Sequence, residues 1–208
     1  RGIKNRYGTT LEVGLFEMTG SGLTEVRDIG RLLDPGKPPQ PGSVICPILH
    51  GTRCLLVEVQ ALTATGFLGS VKRRTSGLES NRLAMLIAVL EQHAGLRLAD
   101  QDVFASAVGG LRVVEPAADL AVCLAIAGAF RRCRVPPGTA VVGEVGLGGE
   151  VRPVHQIGQR AREASRRGYG ALVTSDDGAA SVGAAGGAIG VGTVAEALDI
   201  LAPVERGG

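Results

Sequence analysis

Through the first third of the chain, hydrophobic residues alternate with polar ones or run in short blocks; beyond it the spacing shifts towards a helical period. Residues 10–18 and 23–28, with Gly20, Ser21 and Gly22 between them, predict a β-hairpin. Residues 34–42 hold four prolines and two glycines and predict an exposed connector. A second pair of strands is expected over 43–49 and 53–62 around His50 and Gly51, then a turn over 63–69 and an extended segment over 70–75. Leu83, Leu86, Ile87, Val89 and Leu90 mark one face of a helix over 79–93, which Gly95 closes.

The chain is organised around its middle, VGGLRVVEPAADLAVCLAIAGAFRRCRVPPGTAVVGEVGLGGEVRP. Strands are expected over 102–108 and 111–114, after which Glu115 and Pro116 stop the extended run and set up a helix from Ala117. Leu120, Val122, Cys123, Leu124, Ile126, Ala127 and Phe130 leave that helix without a polar face until Arg131, so it should be the buried core of the fold. Strands over 139–145 and 150–154 follow, joined by a glycine-rich turn over 146–149. The remainder predicts a basic helix over 158–167, a strand over 170–174 and a mobile helix or loop over 176–187. A strand over 188–191 and a helix over 193–201 complete it, the helix with a capping box of Thr193 and Glu196. Strands first and alternation afterwards argue an α+β class.

Composition agrees with that packing: hydrophobic residues make up 45%, aromatics 3%, with no Trp and 32 glycines. No stretch reaches the ~18 uncharged apolar residues of a membrane span. The chain begins at Arg1 with nothing resembling a signal peptide, so a fragment of a longer cytoplasmic protein is expected. The four cysteines have no CxxC spacing and read as free thiols. A net charge of +2 implies no polyanion by itself. Its distribution is more telling: Arg152, Arg160, Arg162, Arg166 and Arg167 face one acid, Glu163, and Lys72, Arg73 and Arg74 are consecutive. Such clusters suit a phosphate backbone or an ordinary solvated face, and charge alone leaves both open.

Chemistry is scarce. No GxxxxGK[ST] phosphate loop occurs, and the glycines at 146–149 precede a strand rather than opening a helix. The histidines are scattered, and no lysine follows Lys72 to serve as an amine base. The head of the buried helix, where an anion or nucleophile would be favoured, carries Ala117 and Ala118. Glu115, Asp119 and Glu144 could act together as acids, or hold local N–H groups and arginines. Arg82 sits unfavourably near a helix N-terminus, which leaves a phosphate, an acidic neighbour or plain solvation as its reason.

The runs EPAADLA and VVGEVGLGGEVRPV, with KNRYG, LLVEVQAL, GLESNRLAMLIAVL and DQDVF, resemble the Lon-protease-like domain of the RadA (Sms) family of bacterial DNA-repair proteins. The resemblance implies a Lon protease proteolytic-domain-like fold (ribosomal protein S5 domain 2-like) over 10–208, with an N-terminal β-hairpin region. It makes residues 1–9 a linker from a RecA-like ATPase core. There Lys4, Asn5, Arg6, Tyr7 and Gly8 match a Lys-Asn-Arg-Phe-Gly motif that couples nucleotide state to DNA translocation, with Tyr7 replacing phenylalanine. The Ser-Lys dyad of Lon peptidases falls on Ala117 and Gly158, so both members are absent. The implied function is a non-catalytic DNA-binding and oligomerisation domain of an ATP-dependent branch-migration protein. Sequence-independent binding of single- or double-stranded DNA, a homo-hexamer and a RecA-type recombinase partner go with it. ATP, magnesium and a zinc finger would lie outside this chain. Candidate DNA-binding residues are Arg53, Lys72, Arg73, Arg74, Arg82, Arg112 and Arg152. A Ser-Lys peptidase and an oligomerisation module without DNA contact are the competing readings.

Overall fold

Alternation in the middle of the chain builds the centre of a seven-stranded mixed sheet. The computed structural model describes residues 16–19, 22–25, 35–36, 38–67, 70–183 and 186–204. Strands β1 (Phe16–Thr19) and β2 (Gly22–Glu25) form a separate antiparallel hairpin. Strands β3 (Ser43–His50) and β4 (Arg53–Thr65) pair antiparallel about Gly51. Three short strands follow in two parts of the chain: β5 (Arg73–Ser76), β6 (Gln101–Ala107) and, beyond the central helix, β8 (Thr139–Val141). With β11 (Ala171–Ser175) and β12 (Ala188–Val191) they complete the order β12-β11-β8-β3-β4-β6-β5. The half from β12 to β3 is parallel, β3, β4 and β6 are antiparallel, and β5 lies parallel to β6 at the far edge. Two further antiparallel pairs lie apart from this sheet: β7 (Cys133–Arg134) with β13 (Ala202–Pro203), and β9 (Glu144–Val145) with β10 (Val151–Arg152).

Helices cover the two faces unequally. Helix α1 (Ser80–Ala94), α2 (Asp119–Arg131) and α5 (Val194–Leu198) pack together on one face, and α3 (Ile157–Arg166) with α4 (Asp176–Val182) lies on the other, against β3, β4 and β11. Every residue of α2 from Asp119 to Gly128 is buried, as an all-apolar helix requires. Val103, Ala105 and Ala107 of β6 face the helices and are buried, while Asp102, Phe104 and Ser106 between them are only half-buried. The β4–β6–β5 end is therefore open on the face away from α1 and α2, where Leu62 is 61% exposed.

The class is α+β as expected, with local departures. Residues 111–114 form no strand: Val113 N–H reaches Gly77 O at 2.8 Å, and the segment runs past the end of β5 without a ladder. Gly77 permits this approach, having φ +70° and a position where a Cβ would meet Leu111 O at 2.5 Å. The strand expected over 139–145 breaks after Val141 because Gly143 leaves the sheet for the head of α2, giving its N–H to Ala117 O and accepting from Leu120 N. Only Val151–Arg152 of the strand expected over 150–154 is ordered as such. Strand β4 runs through Thr65, where a turn was expected, because β6 continues to pair with it there. Part of the region expected as mobile is helix α4, which Ser175 caps by accepting Gly178 N–H at 3.1 Å. Helix α5 is shorter than expected, and its box is half-formed: Thr193 Oγ1 accepts Glu196 N–H, but Glu196 reaches back to Gly192 N–H, one residue before the cap.

Candidate functional site

The head of α2 is built by Glu115 in extended conformation, Pro116 at the first helical position and a single 3-10 turn, Pro116–Ala118. Ala117 and Ala118 are 6% and 3% exposed, and each ends at a methyl group. On either side a carboxylate is taken by an arginine. Glu115 Oε1 accepts Leu49 N–H at 2.7 Å and Arg160 Nη1 at 2.9 Å, and its Oε2 accepts Arg160 Nη2 at 2.8 Å. Arg160, 1% exposed, also donates Nη1 to Pro47 O at 2.6 Å and Nε to His155 O at 3.0 Å, so each nitrogen of its guanidinium is used. Strand β3 pairs with β8 only at Ile45, and two residues further on a side chain from outside the sheet takes the Pro47 carbonyl.

Asp119, 3% exposed, holds the second clamp. Its Oδ1 accepts Arg82 Nε at 2.9 Å, while Oδ2 accepts Arg82 Nη2 and, at 3.1 Å, Val145 N–H. Arg82 thus answers to an acidic neighbour, which resolves its awkward place near a helix N-terminus. Bidentate arginine–carboxylate pairs of this kind, with the remaining lone pairs also occupied, are how a fold tolerates ions out of water. Gly158 lies in the first turn of α3, two residues before Arg160, and Ala117 lies two residues after Glu115. The Arg160–Glu115 bond therefore draws together the two short segments that contain these positions.

Burial pushes the Cys54 thiol up to about 12 and pushes Cys46 and Cys123 up as well, so all three stay neutral near pH 7. Ser106 is half-buried on β6 and Ser165 is exposed on α3. Among the described residues no group of three or more His, Cys, Asp and Glu side chains could hold a metal ion.

The predicted cations divide into two sets. Arg152 bonds Glu150 through Nε at 3.0 Å and Nη2 at 2.5 Å, and Arg166 and Arg167 both close on Glu163. With Arg82 and Arg160 they are committed inside the molecule. Arg53 is exposed at the start of β4. Lys72 precedes β5 and is exposed; Arg73 and Arg74 follow on opposite faces of that edge strand, Arg74 exposed and Arg73 half-buried with its Nη1 unpartnered. Arg112 is exposed beside Gly77 at the other end of β5. Lys72, Arg74 and Arg112 form no ion pair among the described residues. The motif residues Lys4, Asn5, Arg6, Tyr7 and Gly8 lie outside the described residues.

Sequence reasoning missed the Arg160–Glu115 clamp, whose partners are separated by 45 positions. It also missed the open sheet face, although the alternation of Val103, Ala105 and Ala107 would have turned Phe104 away from the core.

Comparison with characterised sequences fixes the relationship. Over 203 residues the chain is 39% identical to the DNA repair protein RadA of Halalkalibacterium halodurans, covering 96% of this chain and 44% of that protein. Over 170 residues, 81% of the chain, it is 46% identical to RadA of Haemophilus influenzae and 45% identical to RadA of Escherichia coli, covering 37% of each. This chain is a homologue of part of RadA. It spans less than half the length of the RadA proteins it matches. No family model matches it. Among the described residues no helix is long and apolar enough to cross a membrane.

Proposed function

We propose that this chain is a non-catalytic DNA-binding and oligomerisation domain of a RadA-type branch-migration protein acting in recombinational repair. The scaffold is that of a Lon-type peptidase domain without its reactive pair. One observation carries the reading: the head of α2 is lined by the buried methyl groups of Ala117 and Ala118 and flanked by arginine–carboxylate clamps, and the resemblance to Lon peptidases would put a nucleophile at Ala117 and its base at Gly158. Hydrolysis of a peptide needs an activated nucleophile, and the head of α2 offers methyl groups and neutral thiols instead. Kinship with proteins named for DNA repair supplies the polyanion.

In this reading Lys72, Arg73, Arg74 and Arg112 contribute phosphate contacts, with Arg53 beside them, while the candidates Arg82 and Arg152 stay on Asp119 and Glu150. Assembly into a homo-hexamer would repeat each cation around a ring and give a channel far more positive than one copy with a net charge of +2. Residues 1–9 would couple this domain to an ATPase core that binds ATP and magnesium. A zinc finger and contact with a RecA-type recombinase belong to the same proposal for the longer protein. Replacing Lys72, Arg73 and Arg74 together by Glu is expected to weaken duplex binding in a gel-shift assay at low salt. Unchanged affinity removes that cluster from the site. Ring formation without a mobility shift on any DNA would support an oligomerisation module instead. Casein cleavage lost on a single substitution would restore the peptidase reading.

A further inference from the structure

We infer that the open face of β4, β6 and β5 is a stacking platform for the unpaired bases of single-stranded DNA. This rests on the DNA-binding reading above and adds to it the form of the strand and the side chains that take its bases. Register puts Leu62 opposite Phe104 and Phe104 opposite Arg74, so one row across the three strands carries an aliphatic group, an aromatic ring and a guanidinium. The next row sets Gln60 and Ser76 on either side of Ser106. These six side chains line a shallow depression of about 320 Å³. Leu62 and Arg74 are exposed and Phe104 is half-buried, while α1 and α2 occupy the opposite face of the sheet. Just past the end of β4, Phe67 is 86% exposed.

The charges around this face favour a polyanion that also has flat rings. Among the described residues Lys72 and Arg74 have no ion pair, and Arg112 stands beside Gly77, so cations flank β5 at both of its ends. Two acids share this face by the same alternation, Glu58 with Gln60 and Leu62 and Asp102 with Phe104 and Ser106. Their partners are neutral donors, Ser43 Oγ and Gln60 Nε2 for Glu58 and the backbone N–H of Lys72 for Asp102, so both keep their charge, and the three cations Lys72, Arg74 and Arg112 exceed them by one. A duplex would offer phosphates to these cations but keep its base faces stacked away from Phe104 and Leu62. A single strand offers both at once, with phosphates for Lys72, Arg74 and Arg112, a π-face for Phe104, and base edges for Gln60, Ser76 and Ser106.

The test is fluorescence anisotropy with a labelled oligo-dT and an abasic oligomer of equal length, which keeps the phosphates and lacks the bases. The wild type should bind oligo-dT roughly tenfold tighter than the abasic strand. Phe104→Leu should abolish that preference while leaving abasic binding unchanged, and Phe104→Tyr, which keeps the ring, should retain it. Joint replacement of Lys72 and Arg74 by Glu should weaken both oligomers alike. Equal wild-type affinity for the two strands, or a preference that survives Phe104→Leu, overturns the platform. If the charge reversal weakens binding and Phe104→Leu does not, the DNA-binding reading stands and this inference fails. If no DNA binds at all, both fail. A change of oligomeric state in Phe104→Leu with the base preference intact would make the face a protein contact and likewise overturn the proposal.

Discussion

At the head of α2, Arg82 and Arg160 each hold a carboxylate in bidentate geometry; along β5, Lys72 and Arg74 face solvent with no ion pair among the described residues. The sequence shows both regions as cations near acids, and the fold separates them. Where a guanidinium is buried, its charge has a fixed acceptor and is part of what holds the helix head to the sheet. Where it stands on an edge strand, its charge remains available. The density of arginines in a stretch of sequence is therefore a poor guide to a polyanion site. Of those on and just past α3, the most basic helix here, Arg160 is spent on Glu115 and Arg166 and Arg167 on Glu163, which leaves Arg162 exposed without an ion pair among the described residues.

The largest effect that could break this comparison is on stability. Arg160→Met should destabilise the fold by about 3–5 kcal/mol, because it leaves Glu115 half-buried without its partner and frees the carbonyls of Pro47 and His155. In a thermal melt this is a fall of roughly 10 °C for a chain of this size. Replacing Glu115 by Met as well should recover much of it, since the pair lost together costs less than one member alone. A fall of one or two degrees in the single variant would mean that the clamp behaves as a solvated pair.

Arg82→Ala should cost less, about 1–2 kcal/mol, since 32% of its side chain is exposed. The pH dependence of that loss sharpens the contrast. Burial already holds the Asp119 carboxyl above its usual range, against the pull of Arg82 and of Val145 N–H. Without Arg82 the folded state takes up a proton at higher pH than the unfolded chain does. Stability of the variant should then rise as pH falls from neutrality towards the usual aspartate range, and the gap to the wild type should narrow. A gap that stays constant in paired denaturation curves would show that Asp119 does not depend on Arg82. Smallest of all should be the stability effect of Lys72→Ala with Arg74→Ala, within about 0.5 kcal/mol, because neither side chain forms an ion pair among the described residues. A shift above 2 °C in the same melt would place them with the clamped set.

Much of the architecture was legible because its signals are local. The alternation of β3 and β4, the apolar stripe of α1 with Gly95 as its left-handed cap, and the unbroken apolar surface of α2 each depend on a few neighbouring residues. Misreadings arose where a distant partner decided the outcome. Residues 111–114 look like a strand, but among the described residues their one backbone bond is from Val113 to Gly77, and the strand after Thr139 ends early because Ala117 and Leu120 claim the backbone of Gly143. The candidate site divides in the same way. The consecutive Lys72, Arg73 and Arg74 stand on an extended segment as expected. That Glu115 and Asp119 would hold arginines or N–H groups was one of two readings open to the sequence, but which arginines they hold depended on contacts spanning 37 and 45 positions. Which of Arg73 and Arg74 shares a face with Phe104 came only with the register of β5 on β6.

The most direct test of the division between clamped and available cations is the salt dependence of single-strand binding in three proteins: the wild type, Lys72→Ala with Arg74→Ala, and Arg166→Ala. A lost phosphate contact lowers the slope of log affinity against log salt by about 0.7 on single-stranded DNA. The account predicts a slope shallower by about 1.4 in the double variant, from two such contacts, and an unchanged slope in Arg166→Ala. Equal slopes in the wild type and the double variant, or a shallower slope in Arg166→Ala, would contradict it.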